Sequence, residues 1–570
     1  MDRAQIHFEL FVRRRHGSGW TLELATEDRA QAVAAAEEAL AEKRAVAVKV
    51  MKETLEDESR EFKSVVILSK GEPEPAKVKK PRENLEPLCL SPQDLYTGHA
   101  RDRIGRLLDG WLARNRATPF ELLHRPDLIE KLEASGMELQ HAIQKVALPE
   151  AQERGIGVHE MIRSFQRLVQ SSIDRVLRDA RKGVLPSADV DSFAAVAERL
   201  VGEPERCYLL GAAVAQVIGE GATWRDKVNK LLDLADAAPG EPQARALAFH
   251  VLDEPLAEVL GARAGLMELI GEQPDLGASL AAMTRLAAAD SVEALIAIEP
   301  GVARVMPPLE GAAARLANWL DGRHFENVRA AIGRRVLKEL VGPRRLRNGD
   351  PEGEIIVLRA LAKALTVAAG RLLTLEDVQI AFVERSKMLV RADFIEAYVG
   401  GDRTPQAEVE ALLWLAENVT GAASKRQACR WISANVGSLR FETAIRNGPE
   451  TPAVKLKLLA DLQRGLERPG FAPEDAAPIA ARLGEVGGLV EADGKLVAGL
   501  VRSNAPIVSR LSVLLRFAVG DAAPLGPAAD RAKAEVIKLM RAPETRAAMA
   551  EPSEAGERLR GLMKVAWLAA

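Results

Sequence analysis

VHEMIRSFQRLVQSSIDRVLRDARKG, at residues 158–183, has a helical pattern that indicates the fold class of this chain. Its apolar side chains recur every three or four residues, which is the spacing of one face of an α-helix. Gly183 and then Pro186 follow, and both residue types commonly end helices. The stretch therefore predicts a long amphipathic helix that buries one face against other helices. That face consists of Met161, Phe165, Leu168, Val169, Ile173, Val176 and Leu177.

The same helical spacing extends from about residue 92 to the C-terminus. Ser91 can cap a first helix, Pro92 suits its first position, and Asp94 favours its first turn. Beyond that region, short segments containing Gly and Pro separate each predicted helix from the next, and no signature recurs at a fixed interval. We therefore predict a multi-helical body, either an irregular helical stack or successive helix bundles. The predicted helical domains are residues 92–185, 186–345 and 346–570.

The first 70 residues have a different pattern, because apolar and polar side chains alternate along several short runs. This alternation is typical of half-buried β-strands. The runs are IHFELFV (6–12), WTLELA (20–25), AVAVKVM (45–51) and EFKSVVIL (61–68), with an Ala-rich predicted helix at 27–42. Residues 1–70 are therefore predicted to form a small α+β module in the order ββαββ. A segment rich in proline and charge, residues 71–91, predicts a flexible linker to the helical body.

The charge and cysteine content constrain the class of protein. The 570 residues include 78 basic and 81 acidic side chains, so no net field attracts nucleic acid or anionic lipid. Three widely separated cysteines form no disulfide framework, which suits a reducing compartment. The start of the chain lacks the apolar core of a signal peptide, and the apolar stretch 209–219 is shorter than the ~20 residues of a membrane span. We therefore expect a cytoplasmic protein that does not insert into membranes.

Two Glu-x-x-His pairs form one candidate site. Glu121 precedes His124, and Glu138 precedes His141, so each pair places a carboxylate and an imidazole on one helix face. Helix bundles that bind two metal ions use this spacing. With 81 acidic residues in the chain, chance also yields such pairs, and solvated or hydrogen-bonded side chains are the alternative. The metal hypothesis implies a metal-dependent enzyme with its site within residues 95–180.

Familiar catalytic and phosphate-binding motifs do not occur in the sequence. The nearest approach to a phosphate-binding loop, GLVEADGKL at 488–496, has Leu496 where Ser or Thr should hold magnesium. The pair His159-Glu160 lacks the second histidine of a zinc-protease motif, and no nucleophile elbow is present. The sequence therefore predicts no cofactor and no catalytic residue.

A basic segment between two predicted helices forms the other candidate site. Gly342 and Pro343 end the first helix, and Asp350 and Pro351 begin the second, so helix boundaries explain part of the segment. Clustered basic side chains also bind phosphates, although no aromatic residue accompanies them to stack on bases. A solvated connector or a surface for an anionic partner is the alternative. The six basic residues are Arg334, Arg335, Lys338, Arg344, Arg345 and Arg347.

These patterns favour a cytoplasmic, non-catalytic interaction protein with a scaffold or regulatory role. Its helical surfaces are expected to bind other proteins, and the open face or edge of its N-terminal sheet is available for self-association. One alternative is a regulator that binds nucleic acid or another anionic ligand through residues 334–347, although the neutral net charge does not favour nucleic acid. The second alternative is the metal-dependent enzyme with a site in residues 95–180.

Overall fold

The computed structural model describes residues 6–14, 20–55, 62–71, 87–545 and 554–568. The chain divides into two units, Met1–Leu88 and Cys89–Ala570. The first unit contains a four-stranded antiparallel sheet and one helix, and the second unit is helical. The predicted fold class, a small ββαββ module followed by a long multi-helical body, is therefore confirmed. Most of the predicted linker, residues 72–86, lies outside the described residues.

The first unit follows the predicted order of elements. Its strands are paired in the order β2-β1-β3-β4, and all neighbours are antiparallel. Asp28 begins the helix, because its side chain accepts hydrogen bonds from the backbone N–H groups of Ala30 and Gln31. The elements are β1 (Ile6–Arg13), β2 (Thr21–Thr26), α1 (Arg29–Ala41), β3 (Ala47–Leu55) and β4 (Phe62–Gly71).

Helix α1 covers one face of this sheet. Its alanines at positions 32, 36 and 39 are buried, and their small side chains let the helix lie close to the strands. The alternation predicted for the first strand is confirmed, because every second side chain of β1 faces α1. The strand residues packed against α1 are Phe8, Leu10, Val12, Val48 and Val50.

The second unit begins with a group of helices around the long predicted helix. The start signal at Ser91, Pro92 and Asp94 opens a 3₁₀ turn, Pro92–Tyr96, and the first α-helix starts only at Gly98. The stretch at residues 158–183 forms a helix from Val158 to Arg181, as predicted. These helices are α2 (Gly98–Leu107), α3 (Asp109–Asn115), α4 (Pro119–His124), α5 (Pro126–Ala134), α6 (Met137–Arg154) and α7 (Val158–Arg181).

The middle of the body is organised around one long buried helix, α11, which packs against α4, α8, α9, α10, α12 and α16. Its Asp253 accepts hydrogen bonds from the backbone N–H groups of Asn327 (2.9 Å) and Val328 (3.1 Å), which fixes the start of α16. The elements are α8 (Phe193–Leu200), α9 (Arg206–Gly219), α10 (Trp224–Asp236), α11 (Pro242–Gly261), α12 (Arg263–Ile270), α13 (Leu276–Ala287), α14 (Ala289–Ile298), α15 (Gly311–Asp321) and α16 (Glu326–Val341), with a 3₁₀ turn at Pro300–Arg304.

The last third of the body is a stack of similar units. The first three contain two longer helices and a shorter third one, and the fourth is a helix pair. The first helices of successive units contact one another along α17, α20 and α23, and the second helices do so along α18, α21, α24 and α27. The helices are α17 (Pro351–Val367), α18 (Leu375–Leu389), α19 (Ala392–Val399), α20 (Pro405–Asn418), α21 (Ala422–Val436), α22 (Leu439–Asn447), α23 (Pro452–Gly465), α24 (Pro473–Gly494), α25 (Leu496–Arg502), α26 (Ile507–Ala518) and α27 (Pro527–Met540).

The unequal length of these units explains why no fixed repeat interval is visible in the sequence. Pro351, Pro405 and Pro452 each occupy the first position of a unit, but they are 54 and 47 residues apart. A last helix, α28 (Glu554–Leu568), packs on α26 and buries Leu559. Within the described part of the chain, no helix is long and apolar enough to cross a membrane. The divisions predicted within the body, after residues 185 and 345, stay predictions.

Candidate functional site: a cleft with charges of both signs

A large cleft of the second unit lies between α2, α3, the start of α4, the C-terminal half of α11, and α16. Its volume is about 1040 Å³, which is at the upper end of the range for small-molecule sites. The cleft is partly open to solvent. Small side chains form part of its walls, between the charged and polar residues that also line it. These small residues include Ala113, Ala117, Ala257, Ala262, Ala264 and Ala331.

A buried arginine and two glutamates form the charged floor of the cleft. The Arg101 Nε donates to Glu258 Oε1 at 2.8 Å, and its Nη1 lies 3.0 Å from Glu254 Oε2. Glu258 Oε2 accepts a further hydrogen bond from the backbone N–H of Phe120 at 2.7 Å, at the start of α4. The floor therefore joins α2, α4 and α11 through ion pairs and a backbone hydrogen bond.

Burial raises the pKa of the Glu258 carboxyl to about 7, although the Arg101 guanidinium opposes this shift. A carboxyl with such a pKa inside a cleft has the properties of a general acid or base. Both of its oxygens, however, already accept hydrogen bonds from Arg101 and from the Phe120 N–H. The arrangement therefore favours a structural role for Glu258 over direct contact with a ligand.

The rim of the cleft carries exposed charges of both signs. Arg106 on α2 and Arg334 on α16 contribute cations, and Asp102 and Asp109 contribute anions. None of these four side chains has an ion-pair partner among the residues that the structure describes. Their charges are therefore available to a molecule that enters the cleft.

The first Glu-x-x-His pair is buried beside this cleft as part of the fold. Thr118 caps α4, and the Glu121 carboxylate accepts from the Thr118 backbone N–H at 3.1 Å. The Lys227 Nζ on α10 lies 2.7 Å from both Glu121 oxygens, and Arg125 Nη1 lies 3.1 Å from one of them. Glu121 is thus held by two cations and by the helix start, which leaves little room for a metal ion.

His124 is surrounded by aromatic rings in the interior of the second unit. Its Nδ1 donates to the Phe120 carbonyl oxygen at 2.8 Å, and its ring packs against those of Tyr96, Phe120 and Tyr208. Its Nε2 faces Gly211, where a Cβ would lie only 2.5 Å away. Burial lowers the pKa of His124 to about 4, so the ring is neutral at physiological pH.

The second Glu-x-x-His pair lies on the exposed surface of α6. Glu138 forms an ion pair with Arg114, and His141 is exposed. In the described ranges of the chain, no group of three or more His, Cys, Asp and Glu side chains could hold a metal ion. The structure therefore does not assemble Glu121, His124, Glu138 and His141 into one site.

The buried His124 predicts a specific pH dependence of folding. Its pKa lies near 4 in the folded chain and near 6.5 in the unfolded chain, so between about pH 6.5 and pH 4 mainly the unfolded chain takes up the proton. Stability is then lost as the pH falls, by about 2 kcal/mol between pH 7 and pH 5. Urea unfolding of the unmodified chain and of His124→Gln at pH 7 and pH 5 measures this loss. The difference in pH dependence between the two proteins isolates the contribution of His124 from that of other titrating groups. Equal pH slopes would contradict the buried neutral state.

Four of the six residues of the basic segment form ion pairs inside the second unit. The geometry of these pairs accounts for their charge without a ligand. The pairs are Arg335 with Glu339 (3.2 Å), Arg344 with Glu339 (4.0 Å), Arg345 with Glu354 (2.7 Å), and Arg347 with Asp275 (3.1 Å) and Asp350 (3.3 Å). Arg334 and Lys338 are exposed and have no such partner in the described part, and Arg334 belongs to the rim of the cleft.

Two buried side chains hold the basic segment from behind. Arg385 on α18 is fully buried and donates to the carbonyl oxygens of Arg344 (2.7 Å) and Glu339 (3.4 Å). Glu354 on α17 is also buried, and it accepts from the backbone N–H of Leu346 at 3.2 Å as well as from Arg345. The segment is therefore a connector fixed to the core, and its arginines serve mainly to bind it there.

Sequence reasoning missed the floor of the cleft. The signal is weak, because Arg101 and Glu258 are separated by 157 positions in the sequence. Glu254 and Glu258 share one face of α11 by their spacing of four residues, which places two carboxylates together but does not identify their partner. No family model, curated protein or solved structure matches the chain.

Proposed function

We propose that this chain is a cytoplasmic, non-catalytic scaffold that binds partner proteins through its helical surfaces, with the cleft beside α11 as a principal binding site. The observation that carries the proposal is the composition of the cleft. Its floor of Arg101, Glu254 and Glu258 is ion-paired within the chain, small apolar residues form part of its walls, and its rim offers both cations and anions. A segment of polypeptide has matching properties, since it presents apolar and charged groups of both signs.

The alternative ligands fit this composition less well. A nucleic acid or another polyanion would meet Asp102 and Asp109 next to the cations of the rim, and like charges in contact are unfavourable. The arginines of the basic segment that could favour it are paired with carboxylates. The stack of helices α17 to α27 adds surface of the kind that repeat proteins use for protein binding.

Reversal of the two cations at the rim tests the proposal. The double variant Arg106→Glu, Arg334→Glu is used as bait in native extract treated with nuclease, and retained proteins are identified by mass spectrometry. We expect a small set of proteins that the unmodified chain retains and that the variant loses, because reversed charges repel a matched partner. The control is Arg163→Glu with Arg167→Glu, two exposed charges of α7 outside the cleft.

The control variant should retain the same set as the unmodified chain. If the cleft variant retains all the proteins that the unmodified chain retains, the cleft is not the binding site. A set that disappears on nuclease treatment alone would instead support the anionic-ligand alternative.

A further inference from the structure

A smaller cavity of the second unit lies between α12, the start of α13 and the last turns of α16. Its volume is about 180 Å³, the space of roughly six water molecules at about 30 Å³ each. None of the described residues lines both this cavity and the cleft beside α11. The cavity therefore suits a separate small molecule of roughly six to ten non-hydrogen atoms.

Part of the cavity wall is apolar and extends from the core to the surface. Leu266, Leu276 and Met283 are buried, whereas Ile270 is half-buried and Met267 is 44% exposed. Methionine side chains are flexible and adapt to the shape of an apolar ligand. This apolar wall therefore offers a surface along which a short aliphatic chain can lie.

Two arginines that line the cavity share one carboxylate. Arg335 Nε lies 3.2 Å from Glu339 Oε1, and Arg344 Nη1 lies 4.0 Å from Glu339 Oε2. These pairs hold the arginines in place, but the described residues provide no other acceptor for either guanidinium group. Because a guanidinium group has five N–H donors, most of the donors of Arg335 and Arg344 remain available to a ligand.

Asp275 is the other carboxylate that lines the cavity, and contacts within the chain engage both of its oxygens. Its Oδ1 accepts from the backbone N–H of Ala278 at 2.7 Å, and its Oδ2 accepts from Arg347 Nε at 3.1 Å. Arg335 and Arg344 are therefore the charged groups of the lining that keep the most unused hydrogen-bonding capacity. Free guanidinium donors favour an anionic ligand.

We propose that this cavity binds a small aliphatic carboxylate, with the acid group at Arg335 and Arg344 and the hydrocarbon chain along the apolar wall. A planar guanidinium group donates two parallel hydrogen bonds to a carboxylate, which a phosphate-sized sphere of water does not replace. The chain of the ligand displaces water from the apolar side chains, which adds to the affinity. Each half of the ligand thus meets a matching part of the cavity.

Inorganic phosphate and uncharged apolar molecules are the competing occupants. Phosphate would use the arginines but would leave the apolar wall in contact with water. An uncharged apolar molecule would remove water from the guanidinium groups without replacing their hydrogen bonds, which is unfavourable. A molecule with both an acid group and a short chain uses both parts of the cavity, so its binding is expected to be the tightest.

Isothermal titration calorimetry of the full chain with hexanoate tests the proposal. Hexanoate has about eight non-hydrogen atoms, and a ligand of this size is expected to bind with a dissociation constant of about 0.01–1 mM. Hexanamide has the same chain without the charge, and acetate has the charge without the chain. We expect each of these two probes to bind at least about tenfold more weakly, because each lacks one half of the contacts.

Adjacent arginines of α16 provide a matched pair of variants. Arg335 lines this cavity, whereas Arg334 is exposed on the rim of the cleft beside α11. Arg335→Gln should weaken hexanoate binding by at least about tenfold, and Arg334→Gln should leave it unchanged. Arg344→Gln is the second cavity variant, in case Arg335→Gln does not fold, because the Arg344 side chain is 63% exposed.

Three results would overturn the proposal. The first is that hexanoate does not bind at millimolar concentration. The second is that Arg335→Gln and Arg344→Gln bind hexanoate as tightly as Arg334→Gln does. The third is that acetate, inorganic phosphate or hexanamide binds the unmodified chain as tightly as hexanoate, because the ligand would then use only one part of the cavity.

Discussion

Replacement of Lys227 by methionine is expected to lower the free energy of unfolding by about 3–5 kcal/mol, the usual cost of removing one partner of a buried ion pair. Methionine keeps the length and apolar volume of the lysine stem but removes the ammonium group. Glu121 is fully buried, and it would then keep only Arg125 as a cation. The hydrogen bond from Lys227 to the Arg116 carbonyl oxygen (2.6 Å) would be lost as well. Urea unfolding followed by circular dichroism measures the change.

Two further variants separate charge from packing in this experiment. Lys230→Met, one turn away on α10, breaks an exposed ion pair with Glu220, and such pairs contribute at most about 1 kcal/mol. The double variant Lys227→Met, Glu121→Gln removes both charges and should recover much of the loss. Equal destabilisation by Lys227→Met and Lys230→Met would show that the pair with Glu121 is not buried as described.

Gly484→Ala is expected to destabilise the chain by about 1–3 kcal/mol, as overpacking of a filled interior does. A Cβ at Gly484 of α24 would lie 2.3 Å from the carbonyl oxygen of Leu525 and 3.3 Å from the Cα of Gly526. The backbone of Leu525 cannot yield easily, because the Gln463 side chain accepts from its N–H (2.7 Å) and donates to its carbonyl oxygen (3.0 Å). Helix α24 must therefore move away from the connection between α26 and α27.

The control for this variant is Gly499→Ala in the short helix α25. A Cβ there meets no other atom within 4 Å, so only helix propensity acts. That substitution should stabilise the chain by about 0.5–1 kcal/mol. The midpoint temperature of thermal unfolding should therefore fall for Gly484→Ala and rise for Gly499→Ala. A shift in the same direction would contradict the close packing of Gly484 against Leu525.

Much of the fold follows from local patterns in the sequence. Residues 158–183 show a helical face over many turns, and such long periodic stretches are the most reliable predictors of a helix. The first strand is also visible, because Phe8, Leu10 and Val12 occupy alternate positions and are buried. The stack of the last third is harder to predict, since proline begins its units at Pro351, Pro405 and Pro452 but their spacing varies.

The candidate sites were less predictable, because their partners are distant in sequence. Glu121 and His124 have the spacing of metal ligands, but Thr118 and Pro119 just before them also form a helix-capping signal, and the structure uses this signal. The lysine that holds Glu121 lies 106 positions further along the chain. A local motif gives no information about such a partner.

The basic segment illustrates the same limit. Its arginines look available in the sequence, whereas the structure pairs Arg345 with Glu354 and anchors the segment through Arg385. Glu354 follows the helix start at Asp350, so its position suggested only a favourable charge near a helix N-terminus. Arg385 shares the buried face of α18 with Phe382 and Leu389, and an arginine at such a position indicates a structural contact.

Site-specific photo-crosslinking in the cleft tests the central proposal most directly. Benzoylphenylalanine is placed at Ala331, in the wall of the cleft on α16, and for comparison at the exposed Gln166 on α7. Irradiation in native extract treated with nuclease should give a discrete protein adduct from position 331 only. The adduct should disappear in the background of Arg106→Glu and Arg334→Glu. The same adducts from both positions, or no protein adduct from position 331, would contradict the cleft as a binding site for a partner protein.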